Sequence, residues 1–152
     1  MKKYLAAIAL AAAFAQPATA ITFPAFTTIY VGGGVIHDGA AQNTGVATSF
    51  ICTNVSGLTA RIRFLVLDSN GVIRSQQTVN GVSHGEPVVV STHFTVLFPD
   101  SSLATGAVFG TINIESTESA VFCQAMIVDA ASFSNLAPLR LVRVNPHPGT
   151  VE

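Results

Sequence analysis

The chain has 152 residues, which is enough for one domain with a buried core. Only 10% of its residues are charged and its formal net charge is −1, so it lacks the basic surface typical of nucleic-acid binders. Residues 21–152 contain no lysine and carry five arginines against eight carboxylates, a net charge of −3. Such a sparsely charged surface repels other copies weakly and favours self-association.

Residues 1–20 have the three parts of a cleavable, bacterial-type secretory signal peptide. Lys2 and Lys3 form the positive start, residues 5–15 are an apolar run, and Ala-Thr-Ala at 18–20 is a cleavage pattern. A membrane span needs about 20 apolar residues, and this run has eleven. We therefore expect export to the periplasm or beyond the cell, a domain over residues 21–144 with no membrane span, and a flexible tail over 145–152.

The remaining chain alternates between strand-like segments and turns. Segments rich in β-branched and aromatic residues recur with turn residues every 8–12 positions, and no helical period is present. This pattern predicts an all-β fold, an immunoglobulin-like antiparallel β-sandwich of about seven to eight strands, with a jelly roll as the alternative. The predicted strands cover residues 26–31, 46–53, 58–67, 72–79, 87–98, 107–114, 120–128 and 137–144.

Two cysteines, Cys52 and Cys123, each alternate with apolar residues, which places both on the inner face of a strand. In an exported chain such a pair predicts one disulfide. Its position in an early and in the penultimate strand favours a bond between the two sheets, as in immunoglobulin domains. The chain departs from that family pattern because it has no Trp and because Val121 stands where Tyr is expected. If the two strands are instead neighbours in one sheet, the jelly roll becomes competitive.

Two glycine-containing segments match the sequence patterns of functional motifs, but not the structural context that those motifs require. Gly81-Val-Ser-His-Gly85 fits the G-x-S-x-G pattern of hydrolases, but a strand follows it where the hydrolase elbow needs a helix. We predict a glycine-bounded hairpin loop there. Residues 32–34 are three glycines that are followed by neither a helix nor a lysine, so we predict a bulge in a strand rather than a phosphate loop.

Four histidines occur, and none of them pairs with another at i+2 or i+4 spacing. They are His37, His84, His93 and His147. Neither cysteine has a second Cys or a His at ligand spacing, so we expect neither a metal site nor a cofactor.

Four arginines form the candidate binding patch. Arg61 and Arg63 project from the polar face of one predicted strand, and Arg140 and Arg143 lie in or near the last one. If those strands are neighbours, the four side chains form a basic patch that recognises carboxylates on a protein or a sugar. The alternative is a solvated strand face in which the arginines pair with Glu115 or Glu118.

No set of residues in the sequence predicts a catalytic site. The favoured function is an exported, non-catalytic binding module whose loops contact a protein or a carbohydrate. A structural subunit of an extracellular fibre or surface assembly is the first alternative, and a small secreted hydrolase with Ser83 is the second.

Overall fold

The computed structural model describes residues 24–97, 99–132 and 134–144, which form an all-β sandwich. The predicted signal peptide (residues 1–20) and the predicted tail (residues 145–152) lie outside these ranges. Ten strands occur within them. The strands are β1 (Thr27–His37), β2 (Val46–Asn54), β3 (Ala60–Asp68), β4 (Ile73–Val82), β5 (Pro87–Ser91), β6 (Ser101–Ser102), β7 (Val108–Ser116), β8 (Val121–Asp129), β9 (Asn135–Leu139) and β10 (Leu141–Arg143).

The strands form two five-stranded sheets, so the predicted β-sandwich is confirmed. Sheet A has the order β10-β1-β7-β3-β4, and sheet B has the order β6-β5-β2-β8-β9. All pairs are antiparallel except β5 with β6. The strand number exceeds the predicted seven to eight because one predicted strand divides into β9 and β10, and because the two-residue strand β6 lies outside the predicted strands. The segment 87–98 leaves its sheet after Ser91, and the segment 137–144 crosses from sheet B to sheet A at Arg140.

The central strands follow the immunoglobulin order. β1, β7 and β3 lie side by side in sheet A, and β2, β8 and β9 lie side by side in sheet B. Taken in chain order, these six strands correspond to strands B to G of an immunoglobulin sandwich, whose sheets contain B-E-D and C-F-G. The order therefore favours the immunoglobulin-like arrangement over the jelly roll.

The disulfide joins Cys52 and Cys123 as predicted, but it lies within one sheet and not between the two. The two residues are directly opposite each other in the antiparallel pair β2–β8, with their Cα atoms 4.1 Å apart. Both side chains point into the core and are buried. The prediction of a disulfide between the two sheets is wrong. The alternation of apolar and polar residues shows which face of a strand a residue occupies, but it does not show which strand lies beside it.

The main core lies between the sheets. Along β3, Ile62, Phe64 and Val66 are fully buried in this core. Arg63 and Leu65 alternate with them on the other face of the strand, where Arg63 is half-buried and Leu65 is buried. The ring of Phe64 meets that of Phe50 from sheet B at a centroid distance of 6.3 Å. Each such buried side chain contributes roughly 1.5–3 kcal/mol to stability.

A second, smaller apolar cluster lies on the outer face of sheet B. It contains the buried residues Ala47, Val128 and Ala130, against which Leu97 packs. Leu97 belongs to residues 92–97, a segment between β5 and β6 that we call the strap. The strap therefore packs over this cluster through Leu97.

The three consecutive glycines do not end β1. The strand continues to His37, and its register against β7 shifts between Gly33 and Val35. Gly34 has a φ of 87°, in the left-handed region that glycine adopts without strain. The predicted bulge is therefore confirmed.

Candidate binding site

Arg61 and Arg63 project from the outer face of sheet A, near the start of β3. Ile62 and Phe64 alternate with them and are fully buried, so the pleat of the strand turns both arginines outward. The ring of Phe26 contacts both guanidinium groups, with its centroid 4.9 Å from the Cζ of Arg61 and 4.4 Å from that of Arg63. Each cation–π contact contributes about 0.5–1 kcal/mol at an exposed position.

Arg63 forms an ion pair with Glu115. Its Nε donates to Oε2 of Glu115 at 2.6 Å, and its Nη2 contacts the same oxygen. The two residues are directly opposite each other on β3 and β7. This is the pairing that the solvated-face interpretation predicts for one of the two arginines. The carboxylate offsets the charge of Arg63, so a ligand would interact mainly with Arg61.

Arg61 lines an open cleft of about 490 Å³. The other described lining residues are Pro24, Thr59, Asn80 and Gly81. The Nε of Arg61 donates to Oδ1 of Asn80 at 2.8 Å. This bond and the Phe26 ring together hold the guanidinium plane at the wall of the cleft, so it does not have to be ordered again when a ligand binds.

Asn80 reaches Arg61 because β4 contains a bulge at this point. Residues 60–62 of β3 are matched by residues 79–82 of β4, so β4 has one residue more than its partner. Gly81 has a φ of 74°, which permits the sharp local turn. The bulge therefore shapes the cleft as well as placing the amide of Asn80.

Arg140 and Arg143 lie apart from this cluster, because β1 and β7 separate β3 from β10. Arg143 donates from Nη2 to the carbonyl of Ser119 at 2.6 Å and from Nη1 to the hydroxyl of Tyr30 at 3.1 Å. Arg140 is exposed and lines a separate groove beside Gly33. The structure thus brings together two of the four predicted patch residues.

The segment from Gly81 to Gly85 connects the two sheets, so the predicted hairpin loop is wrong. A hairpin requires two paired strands, whereas β4 ends in sheet A and β5 begins in sheet B. The amide of Ser83 donates to Oε2 of Glu86 at 2.8 Å, and strand β5 begins at Pro87. The strand–turn–helix context of a nucleophile elbow is therefore missing from this segment.

The histidines occupy separate places in the fold. The Nδ1 of His84 lies 2.7 Å from the carbonyl oxygen of Ser56, near the cleft. The rings of His37 and His93 stack on each other at the opposite end of the sandwich. His147 lies outside the described residues.

No protein-family model, curated protein or solved structure matches the chain. Among the residues that the structure describes, no group of three or more His, Cys, Asp or Glu side chains is placed to hold a metal ion. The same part of the chain contains no helix that is long and apolar enough to cross a membrane. The function of the site therefore has to be inferred from the charges, hydrogen bonds and shape of the cleft.

Two residues of the site were not predicted from the sequence. Phe26 contacts the arginines only because β1 and β3 flank the same strand, β7, and no local pattern predicts that order. Asn80 is followed by glycine, and this dipeptide does signal an irregular backbone. It does not indicate that the amide turns toward Arg61.

Proposed function

We propose that this chain is an exported, non-catalytic binding module that contacts a carboxylate-bearing protein or carbohydrate at the Arg61 cleft. The observation that carries the proposal is the preorganised guanidinium group of Arg61, held by Asn80 and Phe26 at the wall of an open cleft. A guanidinium group matches the geometry of a carboxylate and binds it with charge-assisted hydrogen bonds. Pro24 adds an apolar surface beside it.

Export is supported by two independent features. The first is the signal-peptide pattern of residues 1–20. The second is the Cys52–Cys123 disulfide, a bond that persists in oxidising compartments and is rare in the cytosol. Mass spectrometry of the protein recovered outside the cytoplasm tests both features. The expected mass is that of residues 21–152 with one disulfide, and a mass that retains residues 1–20 would contradict cleavage.

Binding at the cleft is tested with soluble probes. Oligosaccharides of uronic acids and acidic peptides, each with a neutral counterpart, are titrated against the oxidised protein by calorimetry. We expect binding of at least one carboxylate-bearing probe and a loss of about 10- to 100-fold in affinity in Arg61→Ala, because a hydrogen bond to a charged group contributes about 1.5–3 kcal/mol. Failure of every carboxylate-bearing probe to bind would contradict the proposal.

The matched control is Arg74→Ala, which removes the same charge from an exposed arginine near the start of β4. It is expected to leave the affinity within about twofold, since rim charges contribute little. Equal losses in the two variants would show that net charge, and not the cleft, carries the binding.

A self-assembling structural subunit is the second candidate. It is favoured by two exposed aromatic side chains, Phe109 at 66% and Phe122 at 60% exposure, which project from sheet A and sheet B respectively. Each ring would bury apolar area if a second copy of the chain covered it, and the sparse surface charge would oppose that contact only weakly. Sedimentation at high concentration tests this candidate, since a protein that stays monomeric throughout would rule out assembly by these faces.

A further inference from the structure

Two buried histidine rings stack at the end of the sandwich opposite the Arg61 cleft. His37 is the last residue of β1, and His93 belongs to the strap. Their ring centroids are 4.1 Å apart, with 23° between the ring planes, and each residue is only 6% exposed. The Arg61 cleft does not use this pair.

The surroundings of His37 suit a charged ring. Its Nδ1 lies 3.1 Å from the hydroxyl oxygen of Thr105, which itself donates to the carbonyl of Gly106 and therefore accepts from His37. Its Nε2 lies 3.4 Å from the carbonyl oxygen of Ala40. Both ring nitrogens thus face acceptors, and only the doubly protonated imidazolium donates to both.

His93 is placed differently. Its Nε2 donates to the carbonyl of Thr44 at 2.9 Å, whereas its Nδ1 is buried and has no hydrogen-bond partner within the described part of the chain. A proton added to Nδ1 would be buried without an acceptor and stacked against a second imidazole. The two rings are therefore unequal: the closed structure accommodates a charge on His37 and disfavours one on His93.

One carboxylate offsets charge at the pair. Asp38 interacts electrostatically with both rings, and hydrogen bonds from the amides of Ala40 and Val46 hold the pKa of Asp38 below its ordinary value. The other two carboxylates of this region have different partners. Asp100 accepts hydrogen bonds from Thr95. Asp129 accepts them from Ala131 and Ser132. A single nearby carboxylate compensates one imidazolium but not two.

We propose that the His37–His93 stack is an acid-sensitive latch that holds the strap on the outer face of sheet B. With one proton on the pair, carried by His37, the strap stays closed. A second proton, on His93, separates the like-charged rings and releases the strap. Opening then exposes the apolar cluster of Ala47, Val128 and Ala130, which the closed strap covers.

The direction of the pH dependence follows from proton linkage. The open strap binds one proton more than the closed strap, so opening is favoured as the pH falls. Imidazole groups in water ordinarily take up a proton between about pH 6 and 7. Below that range the opening equilibrium constant is expected to rise by up to about tenfold for each pH unit.

Amide hydrogen exchange tests the latch in the oxidised protein. The amides of Thr92 and Val96 donate to the carbonyls of Thr48 and Ala130, at 2.9 and 3.0 Å, and both bonds break when the strap opens. We expect their protection factors, corrected for the intrinsic rate at each pH, to fall between pH 6 and pH 4.5, by up to about tenfold per pH unit. Protection that is independent of pH would overturn the proposal.

Variants separate the latch from general acid sensitivity. His93→Gln retains a donor for the Thr44 carbonyl but cannot become charged, so its strap protection should not change with pH. His84→Gln removes a histidine near the cleft and should keep the pH slope of the wild type. A His93→Gln variant with the wild-type slope would overturn the proposal.

The wild-type protein provides a measurement that does not depend on a stable variant. The ring protons of His93, followed by NMR, should change their chemical shifts over the same pH range in which strap protection is lost. A change in the His93 signals at a pH where strap protection stays constant would contradict the proposal.

Discussion

The two ends of the sandwich use their polar side chains in opposite ways. At the cleft end, Arg61 and Arg63 lie on the surface, and Arg61 lines an open cleft. At the histidine end, both ring nitrogens of His37 and the Nε2 of His93 face groups of the protein's own loops, and both residues are buried. One end therefore presents charge at a cleft, whereas the other uses polar groups to hold its loops together.

The four aspartates, which supply half of the carboxylates of residues 21–152, bind to the protein's own loops. All four of them accept hydrogen bonds from their own loops, a pattern typical of turn-forming residues and not of a cation site. They are Asp38, Asp68, Asp100 and Asp129. The aspartate charges thus serve loop structure, whereas the guanidinium group of Arg61 lies at the wall of an open cleft.

The largest expected effect comes from removing the disulfide, which lies toward the cleft end of sheet B. Cys52 and Cys123 are 71 residues apart in the chain. Closing a loop of that size contributes up to about 4 kcal/mol. The double variant Cys52→Ala/Cys123→Ala should lose about 2–4 kcal/mol of unfolding free energy in urea. A loss below about 1 kcal/mol would show that sheet packing alone holds the cleft end.

A somewhat smaller loss is expected at Asn54, which organises the loop beside the cleft. Its Nδ2 donates to the carbonyls of Leu58 and Val82, and its Oδ1 accepts from the amide of Ser56. Asn54→Leu leaves the Val82 carbonyl and the Ser56 amide unpaired, whereas the Leu58 carbonyl still accepts from the hydroxyl of Ser56. At about 1–3 kcal/mol for each unpaired group, we expect a loss of at least about 2 kcal/mol in urea unfolding.

The control for Asn54 is Asn80→Ala, because Asn80 is exposed and its side chain accepts a hydrogen bond from Arg61 at the surface. This change should cost less than about 0.5 kcal/mol of stability while weakening binding at the cleft. Equal losses of stability in the two variants would contradict the distinction between a structural and a ligand-facing amide.

The sequence predicts the local features of both ends better than their assembly. Alternation correctly places Cys52 and Cys123 on inner faces, and the glycines at 32–34 mark a real bulge. Which strands lie beside each other cannot be predicted in this way, because strands that pair across a long separation in the chain leave no local sequence pattern. For that reason the disulfide within one sheet, the contact of Phe26 with Arg61 and the histidine stack were not predicted.

At the histidine end, Asp38 is expected to add a second, more acidic pH dependence. Hydrogen bonds from Ala40 and Val46 lower the pKa of Asp38 from its usual 3.8, so the folded state favours the carboxylate. The resulting stabilisation is present above pH 3.8 and is lost as the pH falls through the lower folded-state value.

Asp38→Asn should therefore reduce stability at pH 7 by less than about 1 kcal/mol, because solvent screens this exposed carboxylate. The difference from the wild type should disappear on acidification below pH 3.8, as followed by urea unfolding at each pH. A difference that stays constant down to pH 2 would contradict the hydrogen-bond cause and leave strap opening as the acid response of this end.

The smallest effect is expected for the ion pair of Arg63 and Glu115 at the cleft end. Their side chains are 32% and 16% exposed. Solvent screens a pair of this kind, and exposed ion pairs contribute about 0.2–1 kcal/mol. A double-mutant cycle of Arg63→Ala and Glu115→Ala, measured by urea unfolding, should give a coupling in that range. Glu115→Ala alone should also strengthen binding of a carboxylate-bearing probe, since it frees the charge of Arg63 beside Arg61. Weaker binding in Glu115→Ala would mean that the ion pair with Glu115 orients Arg63 for the ligand. The charged groups of the cleft end would then stabilise the protein's own structure, as the polar groups of the histidine end do.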